Sequence, residues 1–211
     1  MGEFKIKIEK HFTHDIKKLR QDSYSDYNWD GIDDVDKISS SNKWYINAYE
    51  NDKLAGTIRV MKGILPLEAH YSTADLNNYV IQKNDFEIGR LALVGHNPLK
   101  KYHILIAMVR KLAAICIIEN CNKLFTSSRR NTILLYDTLI GFKVISQGKA
   151  YPPLDANIFV LAVDFQEEYN RRTSDMYNLS DEYIEATRQE MLEFVPTHKR
   201  KDLYPITASL A

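Results

Sequence analysis

A mixed α/β fold, one sheet with helices on both of its faces, is the architecture this sequence predicts, on three observations. Runs with a two-residue apolar period alternate with longer runs of helical period. Two strand-like runs flank Asn51-Asp52-Lys53, the pattern of an antiparallel hairpin. A third strand, Phe86 to Val94, ends in a Gly-His-Asn-Pro break and leads directly into a helix. At 211 residues the chain fits one domain with a sizeable core and room for a terminal extension.

Taken in order, Phe4, Ile6 and Ile8 alternate with Lys and Glu, as on a half-buried strand. Thr13 is placed to cap a helix running to about Tyr24, with Ile16, Leu19 and Arg20 near one face. The Asp-rich stretch Asp22 to Asp36, which contains Trp29, has no period and reads as a loop. Lys43 to Glu50 and Leu54 to Met61 are the hairpin strands, with Arg59 on the second. Leu67 to Ile81 reads as short helical pieces and loop. Beyond the central strand, Ile104, Ala107, Met108, Lys111 and Leu112 carry helical spacing to about Asn120. Lys123 to Ser127 is a short strand, and Arg129 to Ile140 a helix stopped by Gly141. Phe142 to Gln147 and Asn157 to Val163 are the last strands, parted by Tyr151-Pro152-Pro153. After Asp164 the pattern changes. Ser180 caps a final helix with the stripe Ile184, Thr187, Met191 and Phe194, suited to covering the core or meeting a second subunit. Residues 1–165 thus form the main domain and 166–211 a helical extension.

Net charge is zero but unevenly spread. From Lys100 to Ala150 nine Lys/Arg face only Glu119 and Asp137, while six Asp fall between Asp22 and Asp36. Such asymmetry points to an anionic partner at the basic segment, or to a solvated helix face. The neutral total and the lack of an aromatic-interleaved basic motif argue against nucleic acid. The histidines have no acid or Cys companions at ligand spacing, so no metal site is expected. Cys116 and Cys121, five apart, are expected on different faces, as buried thiols in a reducing compartment. No apolar run approaches the roughly twenty residues of a membrane span, and nothing at the start resembles a signal peptide, so a cytoplasmic protein is expected.

Charge inside an apolar strand is seldom idle, which makes Glu87 and Arg90 the first functional candidates. Strand, tight loop and helix in succession also aim backbone N–H groups at an anionic ligand.

The element order, and the stretch Leu135 to Phe142 (LYDTLIGF), resemble the GNAT acyltransferase superfamily. Within it the chain is similar to acyl-homoserine-lactone synthases and N-acyl amino acid synthases. The residues that carry this are Arg20, Tyr24, Trp29, the pair Asp33 and Asp36, Arg59, and Glu87-Ile88-Gly89-Arg90, in that order over roughly residues 4–165. Those families have an Arg, an aromatic, a Trp, paired acids, a strand Arg and Glu-x-Ser-Arg. Three departures stand out. Gly89 replaces the Ser. The pyrophosphate loop, usually Gly-rich, is Lys100-Lys101-Tyr102-His103-Ile104-Leu105. Tyr136 stands one residue further from Gly141 than the superfamily spacing.

The resemblance implies a GNAT-like three-layer fold, a central mostly antiparallel sheet flanked by helices. It also implies transfer of an acyl group from a phosphopantetheine thioester to an amine, without a metal. Glu87 would take the amine proton, directly or through a water, or else stand in an ion pair with Arg90 or Arg59. Backbone N–H groups at a break in the central strand, Leu91 to Leu93, would hold the oxyanion, and Tyr136 would be the proton donor. Arg20, Arg59 and Arg90 would clamp an acceptor carboxylate or hold the Asp33/Asp36 loop, with Trp29 and Tyr24 roofing the pocket. Lys100, Lys101, Tyr102, His103, Arg110, Arg129 and Arg130, with Lys111 and Lys123 nearby, would receive the donor. Without glycines the backbone cannot close tightly on a diphosphate, which favours acyl carrier protein over coenzyme A. The expected function is an N-acyltransferase moving a fatty acyl group onto an amino acid or similar small molecule. An acetyl-CoA-dependent acetyltransferase and a non-catalytic acyl or carrier-protein binding module are the alternatives.

Overall fold

The structure, a computed structural model, describes residues 4–26, 34–37, 40, 42–63, 65–95, 97–151, 156–171 and 179–195. Trp29, Asp33 and the Pro152-Pro153 break lie outside the described residues. The strands are β1 (Phe4–Glu9), β2 (Lys43–Glu50), β3 (Lys53–Lys62), β4 (Phe86–Leu93), β5 (Lys123–Arg129), β6 (Lys143–Val144), β7 (Lys149–Tyr151) and β8 (Ala156–Asp164). The helices are α1 (His14–Ser23), α2 (Asp34–Lys37), α3 (Pro98–Ile118), α4 (Ile133–Ile140), α5 (Phe165–Arg171) and α6 (Asp181–Leu192). Short 3-10 turns cover Pro66–Ala69, Ala74–Leu76 and Arg130–Thr132.

Local chemistry accounts for most of these boundaries. Asn51 and Asp52 both take left-handed φ values, 48° and 60°, the turn that suits the twist of a two-residue hairpin loop. Thr13 Oγ1 accepts the Ile16 N–H at 3.3 Å and opens α1. Gly141, at φ 88°, closes α4 and donates its N–H to the Asp137 carbonyl at 2.8 Å.

The strands lie in the order β1-β2-β3-β4-β5-β8-β6, and β7 also pairs β8. Every described pairing is antiparallel except β4 with β5. Strand alternation sorts the two faces. Trp44, Ile46, Ile58, Val60, Phe86 and Ile88 meet α3, which buries Ile104, Met108, Leu112 and Ile115 against them. Each such side chain contributes about 1.5–3 kcal/mol by leaving water. At Gly56 the helix comes so near that a β-carbon would fall 2.9 Å from Ile104 Cγ2 and Leu93 Cδ2. The opposite face is polar over β2–β4, with Tyr45, Asn47, Thr57, Arg59 and Glu87 all buried. Further along it a second apolar cluster sets Leu65, Leu67, Tyr71 and Leu76 over Phe125 and Val160.

The final helix lies on α3. Lys111 Nζ reaches Glu190 Oε2 at 2.9 Å and Thr187 Oγ1 at 3.3 Å, and Glu190 Oε1 accepts the Ile8 N–H of edge strand β1 at 2.5 Å. Of its stripe, Thr187 and Met191 are buried, and Ile184 and Phe194 pack on the main core. Among the described residues no helix is long and apolar enough to cross a membrane.

Three expectations are corrected. The stretch 142–147 is not one strand, because pairing with β8 lapses after Val144. Ile145 N–H and Ser146 Oγ still meet Val160, and pairing resumes at Lys149 as β7. The helix expected from Arg129 begins only at Ile133, since Ser128 and Arg129 continue β5 opposite Phe159 and Ile158. Cys116 and Cys121 are free and buried but do not point apart. Asn120, at φ 53°, folds the chain back so that the Cys121 N–H meets the Cys116 carbonyl at 2.8 Å. Burial, and then contact with the Cys116 thiol, push the Cys121 thiol far up.

Candidate active site

The central strand is broken where β3 and β4 lose register. Arg59 stands opposite Gly89 and Thr57 opposite Ala92, so Arg90 and Leu91 together face Ile58 alone. Arg90 takes a left-handed φ of 57°, a conformation that costs a side-chain-bearing residue about 1–2 kcal/mol. On its other side β4 runs beside β5 only from Phe86 to Ile88. Beyond that point β5 stays with β8 while β4 leaves it, opening a wedge between Gly89–Leu93 and Ser127–Arg129.

Alternation shows what lines this wedge. The Val94 N–H bonds to the Ala55 carbonyl on the β3 side, so Leu93 and Leu91 present their peptide groups to the other side. The carbonyls there are occupied by α1: Tyr24 Oη donates to Leu91 at 2.7 Å and Ser23 Oγ to Leu93 at 3.3 Å. The N–H groups of Leu91 and Leu93 lie along the same edge. Burial raises the Tyr24 pKa, against the pull of Arg90, Arg20, Arg129 and Arg59. Tyr24 therefore stands within the field of four guanidinium groups. Tyr136 is raised too, first by burial and then by Tyr24, with the neighbouring Thr126 hydroxyl opposing. Despite its altered spacing from Gly141, Tyr136 sits by Tyr24 and Thr126 at the wedge.

A buried ionic knot lies across the sheet from α3. Arg20 Nη1 donates to Asp36 Oδ2 at 2.6 Å, and Arg59 Nη1 and Tyr45 Oη donate to Asp36 Oδ1 at 3.3 and 2.8 Å. Lys43 Nζ holds the Val35 and Asp36 carbonyls at 2.9 and 3.2 Å. Arg20 is wholly sealed from solvent, and burial lowers its pKa although Asp36 opposes the change. Its Nε and Nη2 have no hydrogen-bond partner among the described residues, which leaves two buried donors open at about 1–3 kcal/mol each.

Glu87 shares that face of the sheet. Its Oε2 accepts the Leu67 N–H at 2.8 Å in a buried setting. A β-carbon on Gly89 would stand 3.9 Å from both Glu87 Oε1 and Arg59 Nη2, so room for the replaced Ser side chain is still there. Arg90 Nη2 reaches Tyr151 Oη at 3.4 Å.

The residues expected to receive the donor fall into separate places. At the start of α3, Lys100 pairs with Glu50 at 2.5 Å, while Tyr102 and Leu99 are exposed. Arg129 and Arg130 line a cavity of about 360 Å³ with Asn131, Ala156, Asn157 and Phe159. Arg110 is apart from both. Its guanidinium lies over the Tyr183 ring, 5.8 Å from the centroid, in a second cavity of about 280 Å³ with Phe4 and Ile6. Arg110 faces α6 because it lies about three helical turns beyond Pro98, on the flank that β1 and α6 cover.

Sequence reasoning missed Lys43, Tyr45, Ser23 and Thr126. For Lys43 and Tyr45 a signal existed, since strand alternation places both on the face of Arg59. Ser23 and Thr126 carry no mark in the chain.

A mixed sheet whose bulged fourth strand parts from the fifth is the arrangement of a GNAT-type acyltransferase. The chain belongs to the N-acyl amino acid synthase FeeM family, whose model matches residues 15–164. It is an N-acyltransferase. Among solved structures it is similar to FeeM, an N-acyl amino acid synthase from uncultured soil microbes, at 15% identity and TM-score 0.62, covering 82% of this chain and 97% of that one. It is also similar to the acyl-homoserine-lactone (AHL) synthase LasI, at 14% identity and TM-score 0.61, with 80% and 95% covered. BjaI, a CoA-dependent acyl-homoserine lactone synthase solved with SAM and isopentyl-CoA, gives 11%, TM-score 0.56 and 90% of each chain. No curated protein sequence matches.

Proposed function

We propose that the protein moves a fatty acyl group from an acyl carrier protein thioester onto the amine of an amino acid or a similar small molecule. The observation that carries this is the wedge beside β4, with the Leu91 and Leu93 peptide edge on one wall and Glu87, Arg59 and Arg20 buried nearby. An α-amino group has a pKa of about 8, so a base must take its proton before attack; Glu87 does so, through a water. As the amine adds, the thioester oxygen gathers charge and the Leu91 and Leu93 N–H groups receive it. The C–S bond then breaks, the thiolate takes a proton from Tyr136, and the amide nitrogen gives up its surplus proton, which restores Tyr136 through solvent. Arg20, whose Nε and Nη2 find no partner among the described residues, suits with Arg59 a carboxylate on the acceptor, and Tyr24, Trp29, Asp33 and Asp36 complete the acceptor-binding set.

The basic surplus of Lys100 to Ala150 supports an acidic carrier protein as donor in the cytoplasm. A CoA-borne acyl group is the second reading, favoured by the likeness to BjaI. Residues 1–165 act as the acyltransferase unit and 166–211 as its extension.

The test is mass spectrometry of products after incubation with long-chain acyl carrier protein, acyl-CoA or acetyl-CoA and pooled amino acids. An N-acyl product is expected from the carrier-borne long chain, and Glu87→Ala should cut turnover by about 10²-fold or more while donor affinity stays. Product from acetyl-CoA alone would make the protein an acetyltransferase. No product from the wild type would leave a binding module.

A further inference from the structure

We infer that Tyr151 is the positioning residue that aims the Arg90 guanidinium at the reacting centre, and that the segment 65–71 braces this pair together with the base Glu87. This rests on the acyltransferase reading above and adds what holds its charged groups in place.

A guanidinium at the end of a long, rotamer-rich side chain is poorly placed by its own strand. Arg90 also stands in the bulge, at a left-handed φ of 57°, and beyond Ile88 its strand does not pair with β5. Tyr151 supplies a fixed point. Its hydroxyl accepts from Arg90 Nη2 at 3.4 Å. It belongs to β7, which is reached from β4 through β5 and β8, so the contact runs from one side of the wedge to the other. Arg90 precedes Leu91 in the chain, and its charge is the strongest of the four that oppose the effect of burial on Tyr24. Tyr24 in turn bonds to the Leu91 carbonyl at 2.7 Å. A guanidinium held there favours the negative charge that gathers on the thioester oxygen.

Tyr151 is itself held. The His70 ring meets it edge-on, the centroids 5.2 Å apart and the planes at 79°. His70 ends the turn Pro66–Ala69, and the same turn gives its Leu67 N–H to Glu87 Oε2 at 2.8 Å. The turn is pinned by its own bonds. Glu68 Oε2 accepts the Leu65 N–H at 2.9 Å, and the Leu67 carbonyl accepts the N–H groups of His70 and Tyr71 at 2.9 and 3.0 Å. Tyr71 Oη donates to the Ile158 carbonyl of β8, the strand that β7 pairs. One short segment thus reaches Glu87 through its backbone and Arg90 through two rings. With Oε2 anchored, Glu87 Oε1 stands on the side of Gly89 and Arg59. The acid and the guanidinium that serve the transfer are therefore set by one brace, which contains neither of them.

The experiment measures kcat and both KM values by product mass spectrometry, with the thioester and amino acid that give product above. It compares wild type, Tyr151→Phe, Arg90→Asn and the double variant, with ¹⁵N spectra of the arginine side chains and thermal melting of each. Tyr151→Phe keeps the ring against His70 and removes the hydroxyl alone. Asn tolerates a left-handed φ, so Arg90→Asn keeps the bulge while removing the guanidinium. Tyr151→Phe should lower kcat about tenfold with both KM values within about twofold, as for a misplaced group that acts in the transition state. In the Arg90→Asn background the same change should alter kcat by no more than about twofold, because its target is gone. The Arg90 Nε–H signal, identified by its loss in Arg90→Asn, should move in Tyr151→Phe, while those of Arg20 and Arg59, held by Asp36, should stay. An unmoved Arg90 signal, an unchanged kcat, or a tenfold loss repeated on Arg90→Asn overturns the inference while leaving the transferase intact. Absence of transfer by the wild type from any thioester would instead remove the reaction itself, and the role of Tyr151 with it.

Discussion

Tyr24 and Leu91 are joined across 67 residues of chain by a hydrogen bond of 2.7 Å from the tyrosine hydroxyl to the leucine carbonyl. The bond fastens the end of α1 to the strand just past its bulge. It occupies an acceptor that would otherwise face the wedge, and so leaves that edge with donors to present. Tyr24→Phe keeps the ring and removes the bond. The expected result is a fall in kcat of about threefold to tenfold with donor KM little changed, because a misplaced reacting group costs rate before it costs binding. Steady-state kinetics on the two proteins, with thermal melting as a control for folding, checks this.

The knot at Asp36 sets a larger effect on stability. Asp36→Ala removes the carboxylate that both Arg20 and Arg59 reach and leaves the two guanidinium groups buried without it. Breaking a buried pair in this way costs about 3–5 kcal/mol. The urea midpoint of Asp36→Ala should drop accordingly. A midpoint equal to the wild type's would mean that the knot bears no load.

Gly89 offers the opposite case. A β-carbon there meets Glu87 Oε1 and Arg59 Nη2 at 3.9 Å, ordinary contact. Gly89→Ser should therefore fold with a stability change within about 1 kcal/mol and retain turnover. Gly89→Leu should lose turnover, because the larger side chain fills the space between the acid and the guanidinium. Product assays on the two variants separate a tolerated hydroxyl from an obstructed site.

Lys10 gives a pH dependence of known sign. Burial lowers its pKa from the ordinary 10.5 to about 7, with Lys43 assisting, Glu119 opposing, and the amine 3.8 Å over the Trp44 ring. The folded value lies below the unfolded one. Between about pH 7 and 10.5 the unfolded chain therefore holds a proton that the folded chain has released, and stability rises with pH across that window. Lys10→Met should remove this rise. Urea midpoints of both proteins from pH 6 to 10 test it, and parallel curves would count against the assignment.

Much of the scaffold could be read from the chain because its signals are local. Asn51-Asp52 announces the hairpin, Gly141 the end of α4, and Ser180 the start of α6. Glu87, Arg59, Arg20 and Tyr24 were visible as charge or ring at the right places on strands and a helix. What stayed hidden depends on contacts far apart in sequence. The resemblance singled out Asp36 together with Asp33 and set it against Arg20 and Arg59, but its burial and its bond from Tyr45 appear only in the fold. The wedge is hidden for the same reason, since Arg90 and Leu91 in a regular strand would have the same sequence. The break after Val144 and the meeting of the two cysteines each turn on backbone conformation that residue types there do not dictate.

The claim on which the rest depends is that the donor's thioester carbonyl rests against the Leu91 and Leu93 N–H groups. Leucine-selective ¹⁵N labelling and a 2-oxoalkyl thioether of phosphopantetheine, which keeps a carbonyl but cannot transfer its chain, provide the measurement. The amide signals of Leu91 and Leu93 should shift on binding, while Leu192, at the end of α6, should stay in place. Binding that leaves Leu91 and Leu93 unmoved would contradict the account.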